Sequence, residues 1–200
     1  MLAEALRDRV AHGAAVVLGI PRGGVIVGAA VARALEVPLD VVIPRKVRAP
    51  HQPELGLGAV APGVRVLDDE LIRSLGVDTD YLEREIATQE REIERRQEAY
   101  RAGRPPVEVG GKVCVVVDDG VATGGTAVAA LRWARARGAS RVVLAVPVAP
   151  AASLERLLPE ADEVVVLEAP SPFFAVGQWY RRFDQTSDEE VVAALAEAAG

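Results

Sequence analysis

Residues 113–126 constrain the fold of this chain more than any other part of its sequence. They begin with five apolar residues, 113–117, most of them β-branched, which is typical of a strand buried on both faces of a parallel sheet. Two adjacent carboxylates, Asp118 and Asp119, follow at once. Because a buried strand that ends abruptly in charged residues is typical of a functional sheet edge, we predict a central strand with a binding site at its carboxyl end.

Small residues follow the carboxylates and lead into a helical pattern near Ala127: Ala122, Thr123, Gly124, Gly125 and Thr126. Without bulky side chains in the way, several backbone N–H groups converge at the start of that helix, and such a nest binds phosphate. The two threonines add hydroxyl donors. The carboxylates lie one turn earlier, where they would meet hydroxyls rather than phosphate, so the stretch predicts a ribose 5-phosphate site.

The motif differs from two common phosphate-binding loops. It lacks the lysine of the Walker loop, and no Gly-x-Gly-x-x-Gly follows the strand. It resembles the signature of the type I phosphoribosyltransferases, in which a hydrophobic strand and two acidic residues precede a loop ending Thr-Gly-Gly-Thr. The resemblance implies that Asp118 and Asp119 bind the ribose hydroxyls of phosphoribosyl pyrophosphate and that 122–126 hold its 5-phosphate. The competing interpretation is a plain structural turn.

Length and charge restrict the class of protein further. Two hundred residues with 50% hydrophobic content predict one domain, 1–200, with its core at about 12–167. The formal net charge of −6 disfavours a nucleic-acid binder, so local donors and metal must hold an anionic ligand. Cys114 is the single cysteine, which excludes a disulfide framework and favours a small buried hydrophobe. Neither a signal peptide nor a membrane-spanning stretch is evident, and we expect a cytoplasmic protein.

A second loop is predicted at the same sheet edge. A strand at 14–18 is followed by residues 19–24 and a helix at about 25–35, which places the loop where ligands bind in open α/β sheets. The resemblance implies that this loop binds pyrophosphate, chiefly through backbone amides, with Arg22 supplying positive charge. A tight turn with a solvated arginine is the alternative. The predicted pyrophosphate residues here are Pro21, Arg22, Gly23 and Gly24.

A cationic cluster follows the second predicted strand, 39–43. Its sequence, Pro-Arg-Lys-Val-Arg at 44–48, resembles the adenine and orotate members of the family, where such a cation touches pyrophosphate. An ammonium there follows the charge that grows on a leaving group. A solvated basic turn is the alternative. Because Lys46 and Lys112 are the chain's two lysines, we favour a catalytic role for Lys46.

A long insertion, 49–111, separates the second and third predicted strands. Residues 51–54 read as a loop, 57–61 and 64–67 as a hairpin, and 69–75 as a short helix. A long charged helix at 81–101 is predicted to begin with a capping box of Asp80 and Glu83. The insertion occupies the place of the family's catalytic lid. Alternatively the narrow apolar stripe of the helix is a dimer contact, and we expect a homodimer. A lone loop histidine such as His51 is usually solvated.

The rest of the chain completes a mainly parallel α/β sheet flanked by helices. Helices at 127–137 and 153–158 alternate with strands at 141–146 and 163–167, which implies right-handed crossovers. Residues 168–187 concentrate aromatics and predict a small C-terminal hood, completed by a helix at 188–199 that Ser187 caps. The candidates for stacking on an acceptor base are Phe174, Trp179 and Tyr180. The alternative is that these aromatics form the core of the hood.

The resemblance covers about half the chain, 16–48 and 113–146. It implies a phosphoribosyltransferase that moves ribose 5-phosphate from phosphoribosyl pyrophosphate to a nitrogen of an unidentified base or amine and releases pyrophosphate. Mg²⁺ would be bound mostly through substrate oxygens and water, with no direct protein ligand. Ala122 replaces the acidic residue of hypoxanthine and guanine transferases, which counts against a 6-oxopurine. A non-catalytic sensor of phosphoribosyl pyrophosphate and a different ribose-phosphate enzyme remain alternatives.

Overall fold

A computed structural model describes residues 1–10 and 14–198 of the chain. These residues form the strands β1 Ala15–Gly19, β2 Leu39–Val41, β3 Arg45–Ala49, β4 Gln52–Ala61, β5 Val64–Leu67, β6 Val113–Val117, β7 Arg141–Val148 and β8 Glu163–Glu168. They also form the helices α1 Leu2–Leu6, α2 Gly23–Leu35, α3 Asp69–Ser74, α4 Thr79–Arg101, α5 Gly125–Ala136, α6 Ala151–Leu157 and α7 Asp188–Glu197.

The main sheet has five parallel strands in the order β2-β1-β6-β7-β8. Val17 of β1 lies opposite Val115 of β6, which lies opposite Val143 of β7, so the three apolar strands are in register at the centre. These three valines pack on one face with α1, α2, α4 and α7. Their chain neighbours pack on the other face with α5. Burial on both faces explains the unbroken apolar runs, and the predicted mainly parallel α/β sheet is confirmed.

The second sheet corrects two predictions made for the segment after β2. Strand β2 ends at Val41 rather than at residue 43, and the cationic cluster belongs largely to β3 rather than to the basic turn considered as the alternative. Strands β3, β4 and β5 form an antiparallel sheet, with Lys46 opposite Ala59. Residues 52–54, predicted as a loop, begin β4. A two-residue turn joins β3 to β4, and His51 adopts a φ of +63° there. The predicted hairpin around Pro62 and Gly63 is confirmed by β4 and β5.

Helix α4 begins earlier than predicted and packs on its own chain. Its N-cap is Asp78, whose side chain accepts a hydrogen bond from Tyr81 N at 3.0 Å, so the predicted capping box at Asp80 is wrong. The apolar stripe of the helix is buried in the core of this chain, which makes it unavailable as a dimer contact. The buried members of that stripe are Ile86, Ile93 and Tyr100.

A buried ion pair joins the end of α4 to β2. Asp40 is 5% exposed, and its two carboxylate oxygens each accept a hydrogen bond from Arg101 at 3.1 Å. The same oxygens accept hydrogen bonds from Val41 N at 2.8 Å and Val107 N at 2.9 Å. Each of the two carboxylate oxygens therefore accepts two hydrogen bonds. A buried charge is tolerated when it is paired and hydrogen-bonded in this way.

The remaining helices agree with the predictions apart from their ends. Ser187 caps α7 by accepting from Glu190 N at 3.2 Å, and Glu190 accepts from Ser187 N at 2.7 Å, so the predicted cap is confirmed as a full capping box. The apolar spacing of residues 2–11 also predicts a helix before the first strand, and α1 ends within that range at Leu6. The predicted ends Ala11 and Ala199 lie outside the described residues. No helix in 1–10 or 14–198 combines the length and apolar character needed to cross a bilayer.

Candidate active site

The two predicted loops meet at the carboxyl ends of β1 and β6. A methyl group built on Gly23 would lie 1.9 Å from Asp119 Oδ2, and one built on Gly24 would lie 2.6 Å from the carbonyl oxygen of Val117. Ile20 N donates to the same carbonyl oxygen at 2.8 Å. Only glycine fits at such a close approach. The fold therefore brings the predicted pyrophosphate loop into direct contact with the acidic pair.

The acidic pair is partly buried at this contact. Asp119 N donates to Asp118 Oδ1 at 2.9 Å. Burial, followed by the neighbouring charge of Asp119, raises the pKa of Asp118 well above its ordinary value. Burial also raises the pKa of Asp119. Two carboxylates with so little water around them are poised to accept hydrogen bonds from ligand hydroxyls or to face a cation, because either partner replaces lost hydration.

The loop after the acidic pair is shaped as an anion nest. Gly124 adopts a φ of +82° and caps α5, a twelve-residue helix that begins at Gly125 rather than at Ala127. Within the described chain, no hydrogen bond engages the N–H groups of Ala122, Thr123 or Gly124. The positive end of the helix dipole adds to these donors, so the loop has the geometry of a phosphate site.

The side chain of Arg22 points away from this nest, towards α7. Its guanidinium lies 3.8 Å from Asp188 Oδ1, and that oxygen accepts a hydrogen bond from the hydroxyl of Tyr100 at 2.7 Å. Tyr100 is fully buried, and its pKa is raised to about 12 by burial and then by the hydrogen bond to Asp188. The carboxylate of Asp188 that Arg22 contacts is therefore held in place by a hydrogen bond from a buried tyrosine. The Pro21–Arg22 peptide bond is cis.

Lys46 reaches the nest from the second sheet. Its stem lies over Gly56, and its ammonium donates a hydrogen bond to the carbonyl oxygen of Glu54. A cavity of about 410 Å³ has Pro21, Lys46 and Thr126 among its lining residues. A second cavity, of about 300 Å³, is lined by Lys46, Thr126 and others that include Thr123 and Gly125. These two cavities therefore bring together Pro21 and Lys46 of the predicted pyrophosphate residues with Thr123, Gly125 and Thr126 of the predicted 5-phosphate residues, whereas Arg22 and Gly23 line neither cavity.

The hood, which follows β8 at the margin of the sheet, folds back over the acidic pair. Val176 packs on Gly120, where a methyl group would lie 2.6 Å from Val176 Cγ1. The hydroxyl of Tyr180 donates to the backbone oxygen of Asp119 at 2.5 Å. Burial, followed by the charge of Asp119, raises the pKa of this tyrosine to about 12. The hood is therefore hydrogen-bonded directly to Asp119, the second carboxylate after β6.

A third cavity, of about 420 Å³, lies under the hood, and its lining includes Arg22, Asp119 and Tyr180. The other two predicted aromatics are exposed, Phe174 at 78% and Trp179 at 45%. Phe183, which was not singled out in the sequence, lines the cavity and lies 5.2 Å from the ring of Tyr180. Its position three residues after Tyr180 in an aromatic-rich tail was the available signal.

Helix α6 contributes two further residues that the sequence did not single out. The hydroxyl of buried Ser153 donates to the carbonyl oxygen of Ala122, and Arg156 lines the 300 Å³ cavity beside Thr123 and Gly125. Their helix follows the carboxyl end of β7, the sheet edge at which ligands bind in this class of fold, and that was the signal. Among the described residues, no group of three or more His, Cys, Asp or Glu side chains has the geometry to hold a metal ion by itself.

Comparison with known proteins agrees with this geometry. The family model described as "Phosphoribosyl transferase domain" matches residues 1–178. Two curated proteins from strains of Mycobacterium tuberculosis, "Putative phosphoribosyl transferase MT0597" and "Putative phosphoribosyl transferase Rv0571c", are each 51% identical over 186 residues. That match covers 92% of this chain but 42% of each relative, so the chain spans less than half of their length.

A solved structure is similar along the whole chain. The crystal structure of TT1426 from Thermus thermophilus is 49% identical, with a TM-score of 0.83, and the match covers 100% of this chain and 94% of that one. The predicted type I phosphoribosyltransferase resemblance is therefore confirmed at the level of family and fold. Because the family model matches residues 1–178, this chain belongs to the phosphoribosyl transferase domain family.

Proposed function

We propose that this chain transfers ribose 5-phosphate from phosphoribosyl pyrophosphate to a nitrogen of a base or amine and releases pyrophosphate. The observation that carries the proposal is the contact between Gly23–Gly24 and Asp118–Asp119. It sets two glycine-rich helix N-termini, each suited to phosphate, on either side of a carboxylate pair suited to sugar hydroxyls. A donor with a phosphate at each end of a ribose matches that arrangement.

The donor is assigned to the cavities around Lys46. Residues 122–126 would hold the 5-phosphate through their N–H groups, and Pro21–Gly24 with Lys46 would hold the pyrophosphate. Asp118 and Asp119 would accept hydrogen bonds from the ribose hydroxyls. These two carboxylates are oxygen ligands of the kind that Mg²⁺ prefers, and two of them fit a cation bound mainly by substrate oxygens and water. Mg²⁺ would supply charge neutralisation for the pyrophosphate.

Most of the rate enhancement would come from positioning and electrostatics. As the bond between the anomeric carbon and pyrophosphate breaks, its electron pair leaves with pyrophosphate and positive charge develops on the ribose ring. The carboxylates lie where their negative field stabilises that charge, and Lys46 lies where it neutralises the leaving group. The acceptor nitrogen then bonds to the anomeric carbon and gives up a proton.

The acceptor is assigned to the 420 Å³ cavity under the hood. Gly23 and Asp119 line this cavity, and Pro21 and Lys46 line the 410 Å³ cavity, so the first loop and the acidic pair separate the two. A nucleophile and a leaving group on opposite sides of the sugar satisfy the geometry of displacement. Ala122 leaves no acidic group beside the ring for a 6-oxopurine, and the identity of the base or amine stays open.

The direct test supplies phosphoribosyl pyrophosphate and Mg²⁺ with a panel of bases and amines and measures pyrophosphate release. Release that depends on one acceptor is the expected result. Tight binding of phosphoribosyl pyrophosphate in calorimetry, without turnover on any acceptor, would favour a sensor of the same fold. If calorimetry detects no binding, the ribose-phosphate assignment is wrong.

Replacing Lys46 with methionine should weaken binding of phosphoribosyl pyrophosphate about tenfold and slow turnover, because a charge-assisted contact to the leaving group is lost. Calorimetry and pyrophosphate release measure the two effects. The matched control is Lys112→Met, since Lys112 lies before β6 at the opposite end of the sheet. Equal behaviour of the two variants would remove Lys46 from the site.

Replacing Gly24 with alanine should damage both fold and binding. The added methyl group meets backbone atoms of Val117 and Asp118 at 2.6 and 2.8 Å, so the loop must move away from the acidic pair. We expect the free energy of unfolding to fall by about 1–3 kcal/mol, measured in urea. Binding of phosphoribosyl pyrophosphate should fall at least roughly tenfold, since the two halves of the site separate.

Gly110→Ala is the control for this substitution, because its methyl group would lie 3.7 Å from the nearest atom, an ordinary contact. An alanine at position 24 that changes stability and binding no more than the alanine at position 110 would contradict the close approach described for the loop.

A further inference from the structure

One face of α6 forms an outer wall of the anion nest. Ser153, Arg156 and Leu157 are three and four residues apart and so share a face of the helix. Ser153 donates to the carbonyl oxygen of Ala122, and Leu157 lies 3.4 Å from where a methyl group on Gly124 would be. Both contacts are to the loop itself. The helix is thereby fixed against the loop, with Arg156 beside it.

Arg156 stands at this wall with its donors unused. Across residues 1–10 and 14–198, no hydrogen bond or ion pair engages its guanidinium. Glu160 lies within its electrostatic reach, but the pKa of that carboxyl is lowered chiefly by a hydrogen bond from Arg132 and only to a smaller degree by Arg156. Of the other arginines that line cavities, Arg22, Arg101 and Arg182 each have a carboxylate partner.

The acidic residues that line the same cavity are committed elsewhere or exposed. Asp68 caps α3 by accepting a hydrogen bond from Leu71 N at 2.9 Å. The side chain of Glu54 is exposed, and its carbonyl oxygen accepts from Lys46. The nest facing this cavity consists of neutral N–H groups and hydroxyls, whereas a phosphate monoester carries close to two negative charges at neutral pH. Lys46, the other cation that lines the cavity, is assigned to the pyrophosphate, so Arg156 is the positive charge left for this phosphate.

We infer that Arg156 is a substrate-binding residue that contacts the 5-phosphate held by residues 122–126. This inference rests on the proposed function. A guanidinium presents paired N–H donors that match phosphate oxygens, and it stays charged at any working pH. Its contribution comes from outside the loop motif, on the next strand–helix unit of the sheet.

Calorimetry with ribose 5-phosphate tests the inference. We expect Arg156→Met to weaken binding of ribose 5-phosphate about tenfold, and Arg156→Lys to recover part of the loss because a point charge replaces a fork. Binding of inorganic pyrophosphate with Mg²⁺ should change less than about twofold, since that ligand is assigned to the 410 Å³ cavity of Pro21 and Lys46, whose lining does not include Arg156. A general structural defect would weaken the binding of both ligands. The methionine variant should also melt at the wild-type temperature, because Arg156 is exposed and unpaired.

Arg132→Met is the matched control, because Arg132 is an exposed arginine whose partner, Glu160, lies in the turn that follows α6. It should leave ribose 5-phosphate binding unchanged. If the wild type binds ribose 5-phosphate and Arg156→Met binds it equally well, the inference is overturned and the proposed function stands. If the wild type binds neither ribose 5-phosphate nor phosphoribosyl pyrophosphate, both are overturned.

Discussion

Replacing Asp118 and Asp119 together with asparagine is expected to lower turnover by at least roughly 10³-fold while the protein stays folded. Asparagine keeps the size of each side chain but removes the negative charge that would stabilise the positively charged ribose. It also offers one carbonyl oxygen where a carboxylate offers two. Pyrophosphate release in the presence of the active acceptor measures the loss. Activity within a few-fold of wild type would exclude these carboxylates from the mechanism.

The same double variant should be at least as stable as the wild type at neutral pH. Both folded-state pKa values are raised above the ordinary 3.8, so between about pH 4 and those raised values the native state binds more protons than the unfolded chain. The free energy of unfolding contributed by the pair therefore falls as pH rises through that window. Asparagine removes this cost. Melting temperatures from pH 4 to 8 should decline less steeply for the variant, and a parallel decline would show that the pair is not under electrostatic stress.

Asp40→Ala is expected to cause the largest loss of stability, about 3–5 kcal/mol. It leaves the partly buried guanidinium of Arg101 without its carboxylate and two backbone N–H groups, of Val41 and Val107, without an acceptor. Because an unpaired buried charge keeps its full desolvation cost, the effect should exceed that of any single surface pair. Urea unfolding followed by circular dichroism gives the free energy directly.

Glu83→Gln serves as the comparison, since it breaks the exposed pair between Glu83 and Arg65 at 3.2 Å. A loss of about 0–1 kcal/mol is expected there. If the two substitutions cost the same, Asp40 and Arg101 are not the buried anchor that joins α4 to the sheet. The locations of the two pairs make the comparison informative, because both involve α4 and both join it to a strand.

Local sequence predicted the central part of the site because its signals are local. The apolar run of β6, the carboxylates after it and the glycine-rich start of α5 follow one another directly, and each has a clear backbone preference. Parallel strands then bring the loops after β1 and β6 to one edge without any further information. The sequence therefore predicts the first loop and the acidic pair at the same edge, without any information about the contact between them.

The other parts of the candidate site depend on long-range contacts, which local sequence patterns do not show. Lys46 lies on a strand that pairs with β4 through contacts that no local pattern encodes, so the sequence pattern does not predict β3. Ser153 and Arg156 lie on a short helix with no motif of its own, and only their contact with the loop gives them a role. The position of Tyr180 over Asp119 likewise depends on how the tail after β8 crosses the sheet.

The attachment of the hood has a consequence for how proteins of this kind diversify. The residues proposed to bind the sugar donor follow β1 and β6 in the middle of the sheet, with Lys46 added from β3, whereas the hood follows β8, the strand at the margin of the sheet. The hood contacts this part of the sheet through the backbone oxygen of Asp119 and through Gly120. A backbone oxygen is present whatever side chain a residue carries. Under the proposed assignment, the hood, residues 168–187, determines which acceptor binds. Mutations in the hood can therefore change acceptor specificity without altering the residues that bind the sugar donor.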